Sequence, residues 1–272
     1  MLNNEIIDIL SICTPEFENL NIFQFIANSN INIKAIFCEK PVSTSSANIA
    51  KIKEICKKND IVLSVNYMRR WEKKFTNIKN IINSGEFGEI LSINAYGSTA
   101  LMTSASHLID LSLFFGGKPE WIIGSLQSDY IRNVRGHDDP GGTALIKLEN
   151  DAFCYLKATS KNERFYMFEL DIFLTGGRIS ISNDGQKIEF FSFKDVNSSI
   201  GSGYNTLEKI NKDFGILDEE RMLIAIDDTI DCIIKKTEPK SNIDNALCAL
   251  KVIEKIKESS NNSNSKVFFN DY

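Results

Sequence analysis

Lys40 stands directly after an apolar run, in Phe37-Cys38-Glu39-Lys40-Pro41. A lysine at such a break reaches into a crevice as a donor and point charge, or it is a solvated loop residue; both readings stay open from its place alone. Thr14-Pro15 and Asn66-Tyr67 close two other apolar runs in the same way. His107 lies in Thr103-Ser104-Ala105-Ser106-His107-Leu108-Ile109-Asp110. The i, i+4 spacing puts Thr103 and His107 on one helix face, and Asp110 lies a turn further on. An imidazole facing a cleft serves as a general base near neutral pH; a packed core histidine is the alternative. His137, in Arg135-Gly136-His137-Asp138-Asp139-Pro140, reads as a turn residue without a chemical role. The six cysteines form no CxxC pair, and the two histidines lack ligand spacing, so no metal site is expected. The cysteines read as free, buried or inert thiols, most of them in apolar patterns where a reduced Cys acts as a small hydrophobe. No G-x-G-x-x-G, P-loop, HExxH or G-x-S-x-G occurs.

The elements that must hold these residues alternate at first. Ile6 to Cys13, Ile33 to Cys38 and Ile61 to Val65 are apolar runs suited to strands buried on both faces. Glu16 to Ser29 carries helical periodicity through Phe17, Leu20, Phe23 and Ile26. Ser43 to Asn59 does so through Ile49, Ile52, Ile55 and Cys56, with Ser43 or Thr44 as N-cap. Strands joined by helical crossovers pair in parallel with right-handed connections, which is half of a doubly wound sheet. Such sheets bind ligands beyond the carboxyl ends of their strands, where Thr14, Glu39-Lys40 and Asn66 lie.

Beyond a helix over Trp71 to Ser84, the texture changes after Gly88. Strands are expected near 89–97, 119–127, 142–149, 152–160, 165–174, 177–182 and 187–192. One helix interrupts them, Thr103 to Phe115. The sum is a mainly antiparallel sheet, hence a second domain of α+β type. Alternation in Phe168, Leu170, Ile172 and Leu174 gives that sheet a strongly apolar face, and Glu169, Asp171 and Phe173 fall on the other. Helices close the chain at about 218–236 and 243–258, and the polar tail Ser259 to Ser265 is expected to be mobile.

The bulk properties exclude several classes. A net charge of -5 argues against a nucleic-acid surface. No apolar run approaches the roughly 20 residues of a membrane helix. Met1 to Leu10 shows no signal-peptide pattern, which leaves the cytoplasm as the expected location.

Taken in order, five phrases resemble one family. They are Cys13-Thr14-Pro15, Cys38-Glu39-Lys40-Pro41-Val42, Asn66-Tyr67-Met68-Arg69-Arg70, Ser84-Gly85-Glu86-Phe87-Gly88-Glu89-Ile90 and His107-Leu108-Ile109-Asp110-Leu111. With the helical stretch Glu219 to Glu254, they are similar to the glucose–fructose oxidoreductase / inositol dehydrogenase / MocA family from residue 6 nearly to the end. The resemblance implies α/β plus α+β architecture. A partial, Rossmann-like NAD(P)-binding domain covers 1–68, and an open-sheet domain covers 69–272 with its terminal helices returning to the first.

It also implies hydride transfer between NAD or NADP and a hydroxyl-bearing carbon of a sugar, nucleotide-sugar or cyclitol. Thr14, Pro15, Glu39, Lys40 and Asn66 would line the nicotinamide end. Lys40, Arg69, Thr103 and His107 would meet the substrate, with Lys40 and His107 catalytic; a cis Lys40–Pro41 bond is expected as well. A homo-oligomer formed through the open sheet is implied. Two departures stand out. The family carries Asp where Thr103 stands, and the two βα units bearing the pyrophosphate turn are not found before Ile6. Weak dinucleotide binding is therefore expected. A catalytically impaired member that serves as a sugar-binding or oligomeric interaction module is the alternative.

Overall fold

Residues 6–29, 31–161, 165–193, 206–212 and 220–269 are described by the computed structural model. In chain order the elements are β1 (Ile9–Ile12), α1 (Glu16–Ala27), β2 (Ala35–Cys38), α2 (Ser46–Lys58) and β3 (Val62–Val65), a 3-10 turn (Met68–Arg70) and α3 (Lys73–Asn83). Then come β4 (Ile90–Gly97), a π turn (Leu101–Ala105), α4 (Ser106–Gly116), β5 (Pro119–Val134), β6 (His137–Leu148), β7 (Phe153–Ala158) and β8 (Phe168–Leu174). The chain ends with β9 (Gly177–Ser182), β10 (Lys187–Phe193), β11 (Leu207–Ile210), α5 (Arg221–Lys235), α6 (Ile243–Asn261) and β12 (Val267–Phe268). Two units emerge, one of Met1–Phe75 with Leu217–Lys251, the other of Thr76–Ile216 with Val252–Tyr272. The first unit thus runs past residue 68 and takes up α5 and the start of α6.

In the first unit β1, β2 and β3 form a parallel sheet in sequence order, with Ile9 opposite Ala35 and Ala35 opposite Val62. All four residues of β2 are buried, as its unbroken apolar sequence requires. Ile49, Ile52 and Cys56 form the buried stripe of α2. That helix starts later than its sequence suggests. Ser43 spends its hydroxyl accepting from the Ser45 N–H at 3.2 Å, a local turn that competes with a cap. On α1 the buried stripe is Glu16, Asn19, Phe23 and Ile26, whereas Phe17 is exposed. Phe37, Trp71 and Ala225 make a core cluster, and the Trp71 indole donates to Asp228 at 2.9 Å. Ser64 and Thr229 share a buried hydroxyl pair at 2.7 Å, and Ser241 donates to the Val65 carbonyl at 2.6 Å.

The second unit holds a nine-stranded sheet in the order β11-β10-β9-β8-β4-β7-β6-β5-β12. Among the described strands of this sheet only β4 and β7 pair in parallel; the other neighbours are antiparallel. Phe168, Leu170, Ile172 and Leu174 are buried, while Glu169, Asp171 and Phe173 are half-buried on the opposite face. The β5–β6 hairpin is longer than its sequence suggests. Arg135 and Gly136 both take positive φ, 51° and 84°, which closes a tight two-residue turn and draws His137 into a strand. The tail departs most from expectation. Ser259 is fully buried, accepts from the Gly124 N–H at 2.9 Å and donates to the Ser265 carbonyl at 2.6 Å. Ser260 accepts from the Leu126 N–H at 3.0 Å, and β12 pairs with β5. The polar residues there satisfy backbone groups of β5 instead of facing water. No helix among the described residues is long and apolar enough to cross a membrane.

Candidate functional site

The three strand ends of the first unit are tied to one another by polar groups. The Glu39 N–H donates to the Ile12 carbonyl and the Asn66 N–H to the Cys38 carbonyl, each at 2.9 Å, so the parallel ladder carries its register past the last strand residues. Thr14, exposed after β1, donates through its hydroxyl to Asn19 Oδ1 at 2.9 Å. The Asn19 amide in turn donates to the Val42 carbonyl at 2.9 Å. Asn19 is therefore the clamp between the turn after β1 and the Glu39-Lys40-Pro41 loop after β2. Its signal in the sequence is a polar residue at i−4 and i−7 from Phe23 and Ile26, inside an apolar stripe.

Within that loop the Lys40–Pro41 peptide is cis. Glu39, Lys40 and Pro15 are half-buried. Asn66 is 2% exposed and donates its amide to Glu39 Oε1 at 2.7 Å. Its other amide atom, Oδ1, is buried and has no hydrogen-bond partner among the described residues. A buried acceptor left open costs free energy unless a ligand donor fills it. Arg69 is buried in the 3-10 turn that follows. Burial, with the Glu39 charge next in size, pushes the Cys38 thiol up and keeps it neutral beside the loop. The corner thus offers a carboxylate held by Asn66, an open amide oxygen and a lysine. That set suits a polar, donor-bearing ligand.

Thr103 and His107 belong to the second unit. The helix that carries them opens with a widened π turn, Leu101–Ala105, in which the Ala105 N–H donates to the Ala100 carbonyl at 3.2 Å. Single π turns of this kind recur at functional sites. His107 is 5% exposed and Asp110 is 2% exposed, so both lie within the packed interior of α4. Thr103 is engaged by a residue that the sequence reading passed over, Asp139 of β6. The Thr103 hydroxyl donates to Asp139 Oδ2 at 2.5 Å. The backbone N–H groups of Thr103 and Met102 donate to Oδ2 and Oδ1 at 2.9 and 2.8 Å. No local pattern gives this pairing away, because Asp139 sits in a polar run that reads as a turn. No cluster of three or more metal-ligating residues occurs among the described residues.

Residues 1–67 match the sequence model of the family described as "Oxidoreductase family, NAD-binding Rossmann fold". The uncharacterized oxidoreductase YrbE of Bacillus subtilis (strain 168) is 26% identical over 199 residues, covering 67% of this chain and 58% of that protein. Inositol 2-dehydrogenase of Salmonella typhimurium (strain LT2) is 28% identical over 95 residues, 35% of this chain and 27% of that protein. The chain therefore spans under two thirds of the length of these relatives. Among solved structures, the WlbA dehydrogenase from Bordetella pertussis, in complex with NADH and UDP-GlcNAcA, superposes with a TM-score of 0.80. That match has 17% identity and covers 100% of this chain and 82% of the other, which shows a shared fold. The strand-end motifs, the parallel sheet and the family match agree: residues 1–67 belong to the NAD-binding Rossmann part of the Gfo/Idh/MocA oxidoreductase family, and the chain as a whole shares its fold with the solved dehydrogenase.

Proposed function

We propose that this chain acts in an NAD- or NADP-dependent oxidation of a hydroxyl on a sugar, nucleotide-sugar or cyclitol. The observation that carries the reading is the corner at the ends of β2 and β3. There Glu39 is fixed by Asn66, and Asn66 keeps a buried, open acceptor. Thr14, Pro15, Glu39, Lys40 and Asn66 would hold the nicotinamide end, where a carboxamide N–H is the kind of donor that Asn66 Oδ1 lacks. When bound, the nicotinamide supplies the acceptor for a hydride leaving the carbinol carbon. Lys40 donates to the substrate hydroxyl and lowers the cost of its deprotonation. His107 takes the hydroxyl proton or orients the substrate. Arg69 and Thr103 complete the substrate contacts in this reading. Support for the substrate class comes from the relatives, one named for inositol and one solved with a nucleotide-sugar.

The test is an initial-rate assay of NADH and NADPH formation with myo-inositol and UDP-N-acetylglucosaminuronate, alongside a fluorescence titration of both cofactors. Lys40→Met should lower kcat by ~10²–10⁴-fold, the usual size of a lost proton-transfer contribution, with a much smaller loss of cofactor affinity from its contact at the nicotinamide end. Turnover that survives Lys40→Met unchanged would remove the lysine from the chemistry. Absence of cofactor binding at any concentration would overturn the reading.

A further inference from the structure

Asp139 is a carboxylate buried to 6% exposure, and it accepts three hydrogen bonds from one turn of chain, residues 102 and 103. It comes from β6, 36 residues away in sequence, and reaches the π turn immediately before α4. Both of its oxygens are committed, Oδ1 to the Met102 N–H and Oδ2 to the N–H and hydroxyl of Thr103. Three donors converging on one carboxylate fix the turn in orientation as well as in place. A carboxylate at the first turn of a helix is also favoured by the helix dipole. His107 sits one helical turn beyond Thr103, so whatever fixes residue 103 fixes the start of the helix on which the imidazole is mounted.

Thr103 brings no charge of its own to the opening turn, but its hydroxyl hydrogen-bonds directly to a carboxylate. We propose that Asp139 is a positioning residue for His107: from a neighbouring strand, and through Thr103, its carboxylate fixes the turn from which the helix bearing the imidazole starts. This inference deepens the proposed oxidoreductase reading and rests on it for the role of His107.

The test reads His107 directly in the full chain. Ring nitrogen and carbon signals are recorded by NMR, with only two histidines to assign. Four proteins are compared: wild type, Asp139→Asn, Thr103→Val and the exchange T103D/D139N. Asp139→Asn places an amide donor opposite the Thr103 donors, so the His107 ring signature of the wild type should be lost. The exchange puts the carboxylate on the helix, and an amide at 139 can donate to it while still accepting from the Met102 N–H. It should restore the wild-type signature, which a simple packing role for Asp139 would not produce. Thr103→Val keeps the backbone bonds and should give a smaller change of the same kind; it decides the matter if Asp139→Asn does not fold. Unchanged His107 signals in the folded variants would reduce Asp139 to a helix cap and overturn the proposal, as would failure of T103D/D139N to restore them. Turnover of myo-inositol is followed in parallel. If wild type shows none, the oxidoreductase reading fails by itself, while the ring signals still decide the link between Asp139 and His107.

Discussion

The two units solve the problem of holding reactive side chains in opposite ways. In the first, β2 and β3 are almost wholly buried, β1 is buried only at Ile12, and all three four-residue strands end in polar breaks. Every candidate residue there but Arg69, which lies in the 3-10 turn after β3, stands on one of those ends, and neighbouring ends are cross-tied by Asn19 and Asn66. In the second, strands alternate buried and half-buried residues, so the sheet has an inside and an outside. No candidate residue sits on its strand ends. The candidates ride instead on a helix whose opening turn is pinned to the sheet by Asp139. A parallel sheet presents chemistry through its topology. An open antiparallel sheet presents it only through what is packed against it, and so depends on individual long-range bonds.

The largest expected effect tests whether the units also respond separately. The chain has two tryptophans, Trp71 in the first unit and Trp121 in the second. Phe37 packs on Trp71 with ring centroids 6.0 Å apart, and Phe168 is fully buried in the second unit. Truncating either to alanine should cost ~3–5 kcal/mol from lost burial and the cavity left behind. With Trp121→Phe as background, Trp71 fluorescence should show Phe37→Ala melting early and Phe168→Ala much less. With Trp71→Phe as background, Trp121 should show the reverse. If both tryptophans report the same shift for both variants, the contrast between the units does not extend to stability.

That contrast also explains what could be read from the sequence. The first unit was legible because its strands are continuous apolar runs, wholly or mostly buried in β2 and β3, and their ends are marked by Thr14-Pro15, Lys40-Pro41 and Asn66. Its clamp was not, because Asn19 looks like any helix polar residue until its partner, the Val42 carbonyl, is brought near. In the second unit, alternation made β8 and β9 plain. The reach of β5 and β6 was hidden by the turn-like composition of 135–142, since polar residues on an exposed hairpin leave no alternation to follow. The tail misled for a related reason: Ser259 and Ser260 look solvated until the N–H groups of Gly124 and Leu126 are set against them. Local pattern thus gave the elements, while the bonds that pin the opening turn before α4 and dock the tail join residues far apart in sequence.

Alkaline stability should sharpen the comparison at intermediate size. Burial pushes the Cys56 and Cys154 thiols up to about 12, and it pushes Cys38 and Cys232 up as well. Three of these lie in the first unit and Cys154 lies in the second. An unfolded thiol ionises near pH ~8.5, so above that the unfolded chain binds fewer protons than the folded one, and stability falls with rising pH. Their contribution is complete below ~8.5 and is lost progressively towards the folded values, at up to ~1.4 kcal/mol per pH unit for each fully shifted thiol. The first unit should therefore lose stability more steeply between pH 9 and 11, by Trp71 fluorescence in urea, and Cys56→Ala should flatten its slope. Equal slopes in the two units would show that burial does not hold these thiols neutral as described.

The smallest effect lies at the outer edge of the large sheet, where the second unit relies on charge. Glu189 on β10 pairs with Lys187 at 2.8 Å and with Lys209 of β11 at 2.9 Å. Hydrogen bonds from these two lysines hold its carboxyl down, at about 2. A depressed folded value means that the pairing is fully present above the unfolded value of ~4.3 and fades as the pH falls towards 2. These are solvent-screened groups, so the effect should be confined to the edge and weakened by salt. Glu189→Gln should leave the Trp121 unfolding transition in place, since the core under β8 does not use this charge. It should instead speed amide exchange in Leu207–Ile210, whose strand has β10 as its sole neighbour in the sheet order. Wild type taken to pH 3 should show the same local loosening, and added salt should erase the difference between the two proteins at pH 7. If Glu189→Gln instead displaces the Trp121 transition as far as Phe168→Ala does, the edge is part of the cooperative core. The second unit would then owe its stability to a surface ion pair as much as to its buried apolar face, against the division drawn between the two regions.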